Sequence, residues 1–279
     1  MPSTPRETRL RAALKVLGGL VILAGLARYV GRDLMEAFGG DGLARIAVPC
    51  GDGDSTRRVY DTPGGRFCLE KDSTDVIKSN LRRNVVWEEH LLGVYRARIK
   101  PGDVVVDAGA HIGTHTLQLA RMVGAKGRVL AFEPQLKTYQ ELLVNLDLND
   151  VHNVQAEFVA LGSENRRVSM NAANPGNEGA TKVGHGGNRV ELRTLDSYHL
   201  ERVDFLKIDV EGFERYLLEG ARETIRRHHP PMLIEIWPEN RDKVLPLLAD
   251  LGYETRSLGG DDFVALPRSA PDGGADAIR

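Results

Sequence analysis

At 279 residues, with 42% hydrophobic and 27% charged side chains, the chain can bury one substantial core and is too apolar for a disordered polymer. A formal net charge of -2 gives no general attraction to nucleic acid, and no partner of that kind is expected. Only two cysteines occur, Cys50 and Cys68, which make no disulfide framework and predict a reducing compartment.

Residues 16–27 read V-L-G-G-L-V-I-L-A-G-L-A without a charge, with Arg6, Arg9, Arg11 and Lys15 before them and Arg28 and Arg32 after. A span across hydrocarbon needs about 20 apolar residues. This segment falls short unless residues 12–30 insert with Lys15 and Arg28 reaching back to the interfaces. Membrane attachment through residues 12–30 is the leading reading, ahead of a packed soluble helix and a cleaved signal, and the protein is expected in the cytoplasm. The division predicted is an apolar helix over 1–32, a linker over 33–58, one globular domain over 59–267 and a disordered tail over 268–279.

A hairpin is predicted over 59–69, broken by T-P-G-G-R, and a helix over 85–98, stopped by Pro101-Gly102-Asp103. From there strands and helices alternate. Strands fall at 104–107, 128–132, 154–159, 204–209 and 232–236, helices near 114–122, 136–149, 214–227 and 240–251, and a final strand pair near 253–257 and 262–266. This is a doubly wound α/β pattern. The basic run Arg226, Arg227, His228, His229 reads as a helix end meeting its dipole. Between the third and fourth strands, residues 174–188 form an irregular insertion flanked by strand-like pieces at 167–170 and 189–194; a substrate lid is the favoured reading.

The most informative stretch is V-V-V-D-A-G-A-H-I-G at 104–113, followed by A-F-E at 131–133. A run of β-branched residues ends in Asp107, and Gly109 and Gly113 frame a turn where backbone approaches a ligand, with Ala110 and His111 between them. Glu133, at the tip of the next strand, lies beside this turn and can accept hydrogen bonds from two ribose hydroxyls. A dinucleotide site would need glycine at 111, where a diphosphate touches bare backbone, so NAD fits poorly. A second cluster, D-F-L-K-I-D-V-E-G at 204–212, puts Lys207, Asp209 and Glu211 at the same edge of the sheet. Two close carboxylates raise each other's proton affinity, and Lys207 can hold one of them ionised. Glu235, ending the strand I-E-I next to Asp209, can complete a two-carboxylate site for Mg²⁺ with it, but no third ligand is identifiable and no metal is assigned. Trp87 and Glu88 are expected near the cofactor.

V-V-D-A-G-A-H-I-G, A-F-E-P, N-L-D-L-N, T-L-D at 194–196 and F-L-K-I-D-V-E-G-F-E, in that order, resemble the FkbM family of S-adenosylmethionine-dependent methyltransferases over about residues 59–258. The resemblance implies a class I (Rossmann-like) seven-stranded sheet. It also implies S-adenosylmethionine held by Asp107, Gly109, Ala110, His111, Gly113 and Glu133, and O-methylation of a sugar, glycolipid or polyketide-like acceptor. Family members carry Asn where His111 stands. For removal of the acceptor proton, Asp209 or Glu211 is the first choice, with His111, His115 and His185 as alternatives. A non-catalytic protein that keeps the fold is the competing reading.

Overall fold

The computed structural model describes residues 50, 54–172 and 174–268. The apolar segment at 12–30, most of the predicted linker and the tail beyond Arg268 lie outside the described residues. Within them, no helix is long and apolar enough to cross a membrane.

The chain enters through a hairpin, β1 (Arg57–Thr62) and β2 (Gly65–Glu70), then α1 (Val76–Arg82) and α2 (Leu92–Arg98). The alternating series follows as β3 (Val104–Ala108), α3 (Thr114–Val123), β4 (Arg128–Phe132), α4 (Leu136–Leu148) and β5 (Val154–Glu157). After β6 (Val159–Leu161), β7 (Arg166–Asn171) and β8 (Gly186–Arg193) come β9 (Phe205–Ile208), α5 (Glu214–Glu219), α6 (Arg222–His228), β10 (Met232–Glu235), α7 (Arg241–Asp250), β11 (Tyr253–Gly259) and β12 (Asp262–Pro267).

Seven strands form one sheet in the order β5-β4-β3-β9-β10-β12-β11, with β12 alone antiparallel to its neighbours. The strand order reverses between β3 and β9, so the carboxyl ends of these two strands open a crevice. The register sets Asp107 directly beside Lys207. Both faces of β3, β4 and β9 are buried, which is why their sequences are apolar runs, with Arg128 exposed at the amino end of β4 and Asp107 and Lys207 the charges toward the crevice.

Four departures from the sequence reading have physical causes. The helix expected at 85–98 is only α2, because Asn84 (φ 62°) and Glu88 (φ 48°) take left-handed conformations that interrupt it. The chain places a separate helix, α1, before that break, started by Asp75, whose carboxylate accepts the Lys78 backbone N–H. The helix expected at 214–227 is split into α5 and α6, since a Cβ on Gly220 would lie 1.9 Å from the Gly162 carbonyl oxygen. Asp196, the acid of T-L-D, starts the second piece by accepting the Glu223 and Thr224 N–H groups. The strand expected at 154–159 breaks after Glu157, and β6, β8 and β7 form a three-stranded sheet of their own.

The fourth concerns the cysteines. Cys50 and Cys68 are joined by a disulfide, with Cα atoms 5.8 Å apart across 18 residues of sequence. Two cysteines far apart in sequence give no pairing signal of their own; the fold brings Cys50 against β2. Since disulfides persist in oxidising surroundings, the inference of a reducing compartment loses its basis.

Candidate active site

The turn after β3 is shaped by a contact within the protein. Gly109 (φ +82°) passes so close to β9 that an added Cβ would sit 1.7 Å from the Asp209 carbonyl oxygen. Gly113 (φ +93°) faces Leu142, 2.8 Å from where its Cβ would be. Both glycines are thus required by packing of the turn against β9 and α4, a demand separate from the approach to a ligand that the sequence suggested. His111 also takes a left-handed conformation (φ 50°), and its backbone N–H donates to Glu133 Oε2 at 2.8 Å.

Glu133 therefore organises the turn. Its Oε1 accepts the Gln135 N–H (2.9 Å) and the Thr138 hydroxyl (2.7 Å), while Oε2 keeps a lone pair beyond the His111 contact. Burial raises its pKa, and the three hydrogen bonds oppose that rise. Glu133 lines a cleft, partly open to solvent, together with Gly109, Val159, Leu161, Asp209 and Glu211. The insertion closes one side of it with Gly179, Thr181 and Val183. Apolar walls beside a carboxylate with a free lone pair suit a nucleoside.

Lys207 ties the two motifs together. Its buried ammonium donates to the Gly109 carbonyl (2.7 Å) and lies 3.3 Å from Asp107 Oδ1 and 3.4 Å from Asp209 Oδ2. Burial works against its charge, but Asp107 and Asp209 outweigh burial and hold its pKa above the ordinary lysine value. The Thr116 hydroxyl donates to the other Asp107 oxygen at 2.7 Å. Asp107 and Lys207 are thus positioning groups, committed to one another and to the turn.

Past β9, Glu211 (φ 54°) is half-buried, and its Oε2 has no hydrogen-bond partner among the described residues. Burial, then the charge of Asp209, push its pKa up to about 7. The same two causes, in the same order, push Glu235 to about 8, although the Trp237 indole donates to it at 2.8 Å. Asp209, Glu211 and Glu235 each offer an oxygen within 4.8 Å of the others. Glu211, which the sequence reading assigned only to proton removal, supplies the third carboxylate beside Asp209 and Glu235, and hard oxygen ligands of this kind can hold a divalent cation. Lys182 from the insertion sets its ammonium 3.6 Å from the centre of the Trp237 ring and lowers the Glu211 pKa in part.

Residues 107–255 match the methyltransferase FkbM domain, which is just over half of the 279-residue chain. The chain belongs to the FkbM methyltransferases. The methyltransferase sdnD of Sordaria araneosa is 28% identical over 198 residues, covering 57% of this chain and 76% of that protein. Methyltransferase 1 of Beauveria bassiana is 30% identical over 144 residues, covering 42% of this chain and 57% of that protein. Among solved structures, the FkbM methyltransferase of Methylobacillus flagellatus KT is 22% identical with a TM-score of 0.45, covering 71% of this chain and 56% of that one. The chain thus spans little more than half the length of the second relative and of that solved structure.

In this FkbM methyltransferase the cofactor is S-adenosylmethionine, and the remaining lone pair of Glu133 is of the kind a ribose hydroxyl can use. The remaining residues singled out in the sequence fall into two groups. His115 is buried between the Tyr95 hydroxyl (3.1 Å from Nδ1) and the Glu88 carboxylate (3.0 Å from Nε2), so both nitrogens are engaged. His185 is exposed and donates its backbone N–H to Asn171, away from the crevice. His111 is buried under Gly179 with neither ring nitrogen partnered among the described residues, and burial lowers its pKa to about 4. Trp87 lines a separate small cavity with Phe67, Leu92 and Thr114 rather than the cofactor cavity. Trp87 precedes the start of α2, outside the helix in which it was expected.

Sequence reasoning missed Lys182, Trp237 and the anchors of the insertion. The N-L-D-L-N motif proves structural: Asn145 accepts the Cys68 N–H and donates to the Ile112 carbonyl, clamping the hairpin to the turn.

Two measurements follow from this geometry. Glu133→Ala is expected to weaken S-adenosylmethionine binding by about 1.5 to 3 kcal/mol, the range for hydrogen bonds to a charged acceptor. Isothermal calorimetry reads this, and unchanged affinity in a folded variant would remove Glu133 from the ribose. The second concerns pH. Glu211 and Glu235 titrate higher in the folded protein than at the ordinary value of 4.5. Their stabilising contribution is complete below that pH and is lost as pH rises through 7 to 8. Thermal unfolding should therefore occur at lower temperature at pH 8.5 than at pH 5.5. Glu235→Gln should remove about 2 kcal/mol of that fall, at ~1.4 kcal/mol per pKa unit discounted for partial exposure. A slope identical to that of the unaltered protein would show that Glu235 ionises normally.

Proposed function

We propose that this FkbM methyltransferase transfers a methyl group to a hydroxyl of a small hydroxylated acceptor, such as a sugar, a glycolipid or a polyketide-like molecule, and that Glu211 takes the acceptor proton. The observation that supports this most is Glu211 itself. It lines the cofactor cavity, carries an unpartnered oxygen and has a pKa near 7. An alcohol becomes nucleophilic only as its proton leaves, and a base whose pKa matches the working pH removes it most effectively. The cofactor supplies a methyl group already activated by positive sulfur. The protein's work is then to align the acceptor and receive one proton.

Asp209 keeps Glu211 basic by its charge, and Lys207 keeps Asp209 in place. His115 is unsuited to the task because both of its nitrogens are engaged. His111 is held neutral by burial beneath the insertion, away from a free path to an acceptor.

Purified protein incubated with S-adenosylmethionine and glycan or metabolite extracts should add one methylene of mass to a hydroxylated compound. The carbon chemical shift of the new methyl group should identify an ether. A methylated nitrogen or sulfur would overturn the oxygen assignment while leaving the methyltransferase itself in place.

A further inference from the structure

The insertion between β7 and β8 is anchored by groups that the methyl transfer does not use. Lys78 on α1 is fully buried, with its ammonium 2.8 Å from Glu178 Oε2 and 2.8 Å from Glu141 Oε2. Lys137 lies 2.6 Å from the other oxygen of Glu178. The Glu178 backbone N–H donates to Asp75 at 2.8 Å, and the Val76 N–H donates to the Gly176 carbonyl at 3.1 Å. A carboxylate drawn out of water needs this degree of compensation, and loss of any partner would leave a buried charge exposed to its full desolvation penalty.

One residue joins this anchor to the cofactor carboxylate. The Gln135 backbone N–H donates to Glu133 Oε1. Its side-chain Nε2 donates to the Glu178 carbonyl at 3.1 Å and to Thr181 Oγ1 at 3.0 Å. Thr181 and Gly179 are the insertion residues that close the cavity. Against closure stands His111, whose two ring nitrogens lie beneath Gly179 without partners among the described residues and would regain water if the segment lifted. The segment thus carries both the contacts that hold it down and one buried ring that its lifting would rehydrate.

We propose that residues 174–183 are a strap that closes over bound S-adenosylmethionine, and that Gln135, through Glu178 and Thr181, couples its closure to occupancy at Glu133. Gln135, Glu178 and Lys78 are positioning residues in this scheme. It rests on the reading of Glu133 as a cofactor ligand.

Gln135→Glu tests the coupling. It preserves the size of the side chain, its oxygen at the start of α4 and the backbone N–H to Glu133, but it replaces the Nε2 donor with an acceptor facing the Glu178 carbonyl. The probe is S-adenosylhomocysteine, read by its dissociation rate in stopped flow and by amide hydrogen exchange over 174–183 with and without the ligand. In the unaltered protein the ligand should slow exchange in the strap. In Gln135→Glu dissociation should be about tenfold faster, as expected for two lost hydrogen bonds. The ligand should then no longer protect the strap, while exchange in β3 and β4 stays as before.

If the variant dissociates the ligand at the native rate and the strap is still protected, the coupling is wrong, whatever happens to thermal stability. Thr181→Val, which removes the acceptor for Gln135 and the hydroxyl's own hydrogen bond to the Glu178 carbonyl (2.9 Å), should show the same change in smaller degree, and it decides the matter if Gln135→Glu does not fold. Binding to the unaltered protein without any slowing of strap exchange overturns the strap alone. No binding to the unaltered protein at all overturns the Glu133 assignment and the strap with it.

Discussion

Gly109→Ala should destabilise the fold strongly and weaken cofactor binding. The new Cβ would be built 1.7 Å from the Asp209 carbonyl oxygen, a backbone atom that no rotamer change can move. That carbonyl belongs to the residue whose N–H donates to the Ala108 carbonyl. Relief would therefore pull β3 and β9 apart at the point where Lys207 joins Gly109, Asp107 and Asp209. The backbone at 109 is also left-handed (φ +82°), which alanine resists. Strain of both kinds should cost about 3 to 5 kcal/mol, a large part of the ~5 to 15 kcal/mol that holds a typical domain together. Circular dichroism melts would show a midpoint lower by about 10 °C or more. Gly102→Ala is the control, since φ is also positive there (+93°) but nothing lies within 4 Å of its added Cβ. If the two variants melt alike, the contact with Asp209 is not what demands glycine at 109.

The second large effect is on turnover. Glu211→Gln keeps the shape of the side chain and removes its capacity to accept a proton, so kcat should fall by roughly 10² to 10⁴. Cofactor affinity should change little, because Glu133 and the turn after β3 are untouched. Asp209→Asn is expected to give a comparable fall by a different route. Without the Asp209 charge, Glu211 loses one of the causes of its raised pKa, and Lys207 loses one of its three partners. The pH profile separates the two roles. In Asp209→Asn the rising limb of kcat against pH, expected near pH 7, should move to lower pH, whereas Glu211→Gln should lose that limb. A double variant no worse than the worse single one would show that the pair acts as a unit. Near-native kcat in Glu211→Gln would exclude Glu211 as the base and direct attention to Asp209 or Glu235.

The local sequence determined the alternation of strands and helices from residue 104 onward. Buried parallel strands must be continuous apolar runs, and turns must carry glycine, proline or a capping side chain, so each of these signals lies within a few residues of the element it specifies. The same locality placed Asp107, Glu133, Asp209 and Glu211 at the carboxyl ends of their strands, and the resemblance of these motifs then named the family. What the tertiary structure decided depends on partners distant in the chain. Lys78 and Glu178 are 100 residues apart and meet inside the protein, although each alone reads as an ordinary surface charge. That Glu211 joins Asp209 and Glu235 within 4.8 Å is settled only by the pairing of β10 with β9 in register. Gly109 needs its conformation because of a carbonyl on another strand, and Cys50 reaches Cys68 only once the hairpin is built. The small sheet of β6, β8 and β7 was hidden for the same reason: strand partners chosen across an insertion leave no mark in the periodicity of either segment.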